Sequence, residues 1–180
     1  MLSALLLRGV SAQSVSDTEL LDIGRAGQFQ VGMSVDDVVN LVGQNHVRLI
    51  ATYPEGRFQP VVEISLPSLD NVVALIAPIR EWPCPEFSIW GIRVLDPSFK
   101  TRERIGVGST LSELRQAYPS EIRVGTEGGQ PMVHIARLGL TFAFSHAPEI
   151  GDGAPIEFVW VVPQPVSVRA NRCPDQGLFQ

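Results

Sequence analysis

The sequence predicts an α+β fold of two tandem units, each a short capped helix followed by a mainly antiparallel four-stranded meander. Three observations predict it. A helix-start motif recurs along the chain, each copy is followed by four runs rich in β-branched and aromatic residues, and short breakers separate those runs. Connections this short favour antiparallel pairing, because a parallel crossover needs a dozen residues or more.

Length and composition narrow the field first. The 180 residues are 44% hydrophobic and 18% charged, too apolar for an acidic disordered tail and long enough to build a core without metal. A net charge of −5 with no basic block argues against a nucleic-acid partner. All cations but Lys100 are Arg, which codon usage explains as well as anion binding does. No apolar run is long enough to span a bilayer as a helix.

Residues 1–21 read as a leader. The apolar stretch Met1–Leu7, then Arg8 and the small-residue site Val10-Ser11-Ala12, resembles a signal peptide that has lost its beginning. An N-terminal helix is the alternative. The first reading places the protein in the periplasm or outside the cell, the second in the cytoplasm. The two cysteines, Cys84 and Cys173, both lie in Pro-flanked loops. In an oxidising compartment a Cys84–Cys173 disulfide would tie the 168–180 tail to the middle of the chain; in the cytosol they would be two free thiols.

The first unit, 22–98, opens on Val31–Val42. Ser34 is the expected N-cap and Asp37, three residues on, closes a capping box; Met33 and Val38 fit a hydrophobic staple, and Gly43 ends the helix. Strands are expected over 48–53, 61–66, 72–76 and 87–95. The second unit, 99–167, opens on Val107–Tyr118, where Gly108, Thr110, Glu113 and Leu114 repeat Gly32, Ser34, Asp37 and Val38 at a constant offset. Pro119 ends this helix. Strands follow over 121–124, 132–137, 140–144 and 156–162, with Gly128-Gly129 as a hairpin turn. The strands around 87–95 and 156–162 are apolar on both faces, so they are expected to lie centrally or where the units meet.

Chemistry is sparse. His46, His134 and His146 have no metal-ligand spacing, and no Cys or carboxylate completes a set. His134 reads as a satisfied strand histidine. Ser145-His146 lacks a nucleophile elbow, and Gly106-Val-Gly108 lacks the later residues of a phosphate loop and reads as the turn into a capped helix. Asp36 and Asp37 are explained by helix capping. No catalytic, cofactor-binding or metal residue is assigned. Glu81 and Glu86 flank an acidic-aromatic loop, and the partner-binding candidates are Arg80, Trp82, Phe87 and Arg93.

The segment Ile105-Gly-Val-Gly-Ser-Thr-Leu-Ser-Glu-Leu114, preceded by Lys100-Thr101, resembles the repeat of β-lactamase-inhibitor-protein-like domains and of outer-membrane-assembly lipoproteins of the SmpA/OmlA type. Phe29-Gln-Val-Gly-Met-Ser-Val-Asp-Asp-Val38 is similar to the same motif, and the resemblance covers roughly residues 22–165. It implies a helical element on one face of an antiparallel sheet, export, and binding to other proteins without catalysis. No cysteine follows the N-terminal apolar run, so the lipid anchor is not carried over, and the inhibitor's contact loops find no counterpart here.

The expectation is therefore an exported, non-enzymatic protein that binds a protein or an envelope component. Two alternatives remain. One is a small-molecule binder or enzyme with a pocket between the units, with His134, Arg137 and Glu157 converging. The other is a structural oligomer subunit that uses a strand edge.

Overall fold

A computed structural model describes residues 15–52, 59–66, 69–76, 89–146 and 150–162. Among the described residues the fold is α+β, with two short α-helices and sheets whose paired strands are antiparallel. A small sheet of two-residue strands comes first: β1 (Leu21–Asp22), β2 (Arg25–Ala26) and β3 (Phe29–Gln30). Helix α1 (Val35–Val42) precedes β4 (Val47–Thr52), β5 (Gln59–Leu66), β6 (Leu69–Ile76) and β7 (Ile89–Val94). Helix α2 (Leu111–Ala117) precedes β8 (Ile122–Glu127), β9 (Gln130–Ile135), β10 (Leu140–Phe144) and β11 (Ile156–Val161). Strands β4 to β11 form one eight-stranded sheet in the order β4-β5-β6-β7-β11-β10-β9-β8. The two doubly apolar strands are thus its central pair, as their composition predicts.

Local chemistry explains the helices. Ser34 and Thr110 each accept the backbone N–H three residues on. Asp37 and Glu113 accept back from the cap N–H at 3.1 and 2.7 Å. Both boxes are complete, and the cap hydrogen bonds hold both carboxyls below the usual carboxylate range. Gly43, at φ 87°, closes α1. The first turn of α2 has a further anchor, since the N–H groups of Leu111 and Ser112 donate to the carbonyls of Ala154 and Asp152.

Register separates the faces, because paired residues on neighbouring strands point the same way. One row runs Val47, Ile64, Val72, Val94, Val159, Phe142, Val133, Val124, and the next pairs Val62, Ile92, Val161, Leu140 and Ile135 on the same face. This face forms the core together with Val38 of α1, Leu111 and Leu114 of α2, Tyr118, Phe29 of β3 and Phe99. Its apolar row runs out at the sheet margins, where Leu49 and Val124 are exposed.

At and just before β1, Leu20 and Leu21 are buried, and Leu21 N–H donates to Lys100 O at 2.8 Å. Residues just before 22 are therefore tied to the stretch that leads into α2. The central strands share one irregularity. Between β6 and β7 the register skips Trp90, and between β10 and β11 it skips Glu157. Both are β-bulges, and burial runs identically along the two strands, with the bulged residue exposed in each.

Candidate binding surface

The sheet face turned away from the helices carries a mainly polar row that includes Arg48, Glu63, Arg93, Trp160, Thr141, His134 and Arg123. Its centre is aromatic and cationic. Arg93 on β7 and Trp160 on β11 are a directly opposed pair. The Arg93 guanidinium stands 4.0 Å from the Phe158 ring centroid, and Trp160 meets the same ring edge-on at 6.2 Å. Phe158 is the buried floor of the cluster, with Arg93 and Trp160 half-buried above it. At Gly91 a Cβ would make an ordinary contact with the Trp160 ring at 4.0 Å and a tight one with the Val161 carbonyl oxygen at 3.3 Å.

Arg93 is partly desolvated here. Burial pulls its pKa down, the Glu157 carboxylate pulls it up, and its buried Nε has no hydrogen-bond partner. The bulge is what brings Glu157 in. Its carboxylate accepts from Ser145 Oγ at 2.7 Å and from Gln130 Nε2 at 3.2 Å. Ser145 is thereby a partner of Glu157. His134 Nδ1 lies 2.9 Å from Thr141 Oγ1, the satisfied strand histidine that the sequence implies.

A second polar cluster sits at the end of α2. Tyr118 is fully buried; its hydroxyl donates to Glu103 Oε2 at 2.6 Å and lies 2.8 Å from Thr101 Oγ1. Arg137 joins from above the Tyr118 ring, its Nε donating to Glu121 at 2.8 Å and a terminal nitrogen lying 3.7 Å from Glu103. Burial alone would raise the Glu103 pKa, but the Tyr118 hydroxyl, the backbone and Arg137 outweigh it and hold the carboxyl low. Burial, then the hydrogen bond to Glu103, pushes the Tyr118 phenol well above the usual tyrosine range. Beside this cluster is a shallow depression of about 300 Å³ lined by Glu103, Arg104, Ile105, Glu113, Gln116 and Ala117.

A carboxyl with a depressed folded-state pKa adds stability above its unfolded pKa, and that stability is lost as pH falls through the folded value. Tyr118→Phe removes the donor and is expected to cost about 1 kcal/mol at neutral pH. The gap to the parent should shrink below the ordinary carboxylate range. Urea midpoints taken at neutral and strongly acidic pH test this, and a gap independent of pH would contradict it.

The sequence candidates fare unequally. Arg80, Trp82, Phe87, Cys84 and Cys173 lie outside the described residues; Arg93 is at the centre of the sheet face turned away from the helices. His134, Arg137 and Glu157 do not converge: each belongs to a different hydrogen-bonded set. Among the described residues, no group of three or more His, Cys, Asp or Glu side chains could hold a metal ion. No helix among them is long and apolar enough to cross a membrane.

No protein-family model matches the chain, and no curated protein matches it. Among solved structures it is similar to that of the uncharacterized protein YfeY from Escherichia coli. The identity is 10%, the TM-score 0.49, and the match covers 82% of this chain and 98% of that one.

Proposed function

We propose that this is an exported, non-enzymatic binding protein built of two tandem helix-plus-meander units, which presents the open face of its sheet to a protein partner. The Arg93–Phe158–Trp160 cluster carries the reading. Interface centres are enriched in Trp, Phe and Arg, and this cluster sits on pre-ordered central strands. Rigid placement lowers the entropy that association must overcome. The tandem reading is supported by the two capping boxes, the two meanders and the matched bulges at Trp90 and Glu157. Export rests on the leader-like residues 1–21 and the loop cysteines, and the binding role also on the family resemblance.

Site-specific photocrosslinking in the native host tests the reading. A crosslinking residue at position 160 or 141 should give one discrete protein adduct, and one at exposed Gln116 on α2 should give none. Arg93→Ala should reduce the position-141 adduct at least about tenfold. Equal labelling from both faces would overturn the binding role, as would no adduct from the open one. A fractionation that leaves the protein in the cytoplasm would overturn export alone.

A further inference from the structure

Strand β8 closes one margin of the large sheet, and among the described residues nothing pairs with its outer side. Sheet edges in soluble proteins are commonly blunted by charged side chains, Pro, a bulge or a short strand. Strand β8 has neither Pro nor a bulge, and its charges are one of each sign, Arg123 and Glu127. Its six residues pair with β9 without a register break, and all but Ile122 are exposed. Its turn is Gly128-Gly129, both at positive φ, the two-residue type I′ loop, which closes on Glu127 and Gln130 as a hydrogen-bonded pair. Alternation then fixes the rest. Glu127, Gly125 and Arg123 direct their backbone groups to β9, while Thr126, Val124 and Ile122 direct theirs outward.

We propose that this edge is a self-complementary interface to which a second copy of the chain adds antiparallel, about a two-fold axis at Gly125. That register places Val124 opposite the second copy's Thr126, so the outward N–H and C=O groups of both residues meet as a hydrogen-bonded pair. It also places Arg123 opposite the second copy's Glu127, twice by symmetry. Arg123 and Glu127 share a face, are exposed, and have no ion-pair partner among the described residues. Gly125 puts no side chain on the axis, and nothing lies within 4 Å of where its Cβ would be. Exposed Val124 gains cover as the apolar face continues into the second copy. The opposite margin does not offer this. The one charged residue of β4, Arg48, already faces Glu63 at 3.4 Å, and no pairing of β4 with itself joins opposite charges. The interface is independent of the open-face reading.

Sedimentation equilibrium of the full chain is the test. The parent should show a reversible dimer, twice 19.6 kDa, that weakens as salt rises. Arg123→Glu and Glu127→Arg should each weaken it about tenfold or more, since each turns two attractive cross-strand pairs into repulsive ones. The double variant should restore it. Both positions are exposed, so folding should hold, and circular dichroism checks that. Under oxidising conditions Gly125→Cys should give a covalent dimer, because the two Cα atoms of a non-hydrogen-bonded pair lie about 4.5 Å apart. Val124→Cys, facing Thr126 instead, should not. A parent that stays monomeric at its highest soluble concentration would overturn the proposal. So would single reversals without effect, a double variant that fails to recover, or growth beyond a dimer through β4 and β8.

Discussion

Phe142→Ala is expected to cost about 3–5 kcal/mol, the range for deleting a ring from a core that cannot collapse around the gap. Phe142 is wholly buried on β10, paired with Val133 on one side and Val159 on the other. The second layer of that core is α2 with Leu111, Leu114 and Tyr118, fixed by its complete capping box and by the 151–154 loop. Neither layer moves easily. Domain stabilities are generally about 5–15 kcal/mol, so the loss would take a large share. Denaturant unfolding at neutral pH measures it, with Val124→Ala as the control. Val124 stands in the same register row but is exposed, so its truncation should stay within about 0.5 kcal/mol. If Phe142→Ala cost under about 1 kcal/mol, the layer assignment of this face would be wrong.

What the sequence made legible follows a physical boundary. The helix caps and the Gly128-Gly129 turn are set by residues three or four apart, and both appear where local chemistry demands them. Alternation identified the strands themselves to within a few residues. The β7–β11 pair joins strands more than sixty residues apart, and only the double-sided apolarity of each hinted at a central place. The bulges left no sequence mark at all. Each shifts the register by one residue, and in β11 that shift brings Glu157 beside Gln130 and Ser145.

The same boundary divides the site. In the sequence Arg93 stands out by residue type near an aromatic loop, yet its observed partners, Phe158 and Trp160, lie on a distant strand. Those two rings read in the sequence as core filling, and Phe158 is indeed buried. Their strand was identified, so a cation and an aromatic at matching places on the two central strands was the one available signal. Arg137 shows the reverse. Its expected convergence with His134 and Glu157 fails because the short 3-10 turn over Ala136–Leu138 carries it to Glu103, Glu121 and Tyr118. Strands β1, β2 and β3 leave no signal in the sequence because two-residue strands have no periodicity to read.

Gly106→Ala should cost about 2–3 kcal/mol, and the cause is space rather than backbone angle. The φ of Gly106 is not in the left-handed region, unlike that of Gly108 at 82°. A Cβ at Gly106 would sit 2.1 Å from the carbonyl oxygen of Phe99 and 2.9 Å from Lys100 Cδ. The lysine side chain can swing aside. The Phe99 carbonyl cannot, because its ring is fully buried and the next residue is held on both sides. Lys100 N–H donates to Glu19 O at 3.0 Å, its carbonyl accepts from Leu21, and its Nζ reaches Val107 O at 2.7 Å. Relief therefore requires the 99–106 loop to part from residues 19–21, which also anchor β1. Two other glycines make the comparison decisive. Gly125→Ala has open space and an extended backbone and should be close to neutral. Gly108→Ala has open space but a left-handed φ and should cost about 1–2 kcal/mol. Thermal unfolding of the three variants should rank Gly125→Ala above Gly108→Ala, with Gly106→Ala the least stable. A Gly106→Ala protein as stable as Gly125→Ala would show that the loop gives way without cost and that this contact does not hold the N-terminal residues to the sheet.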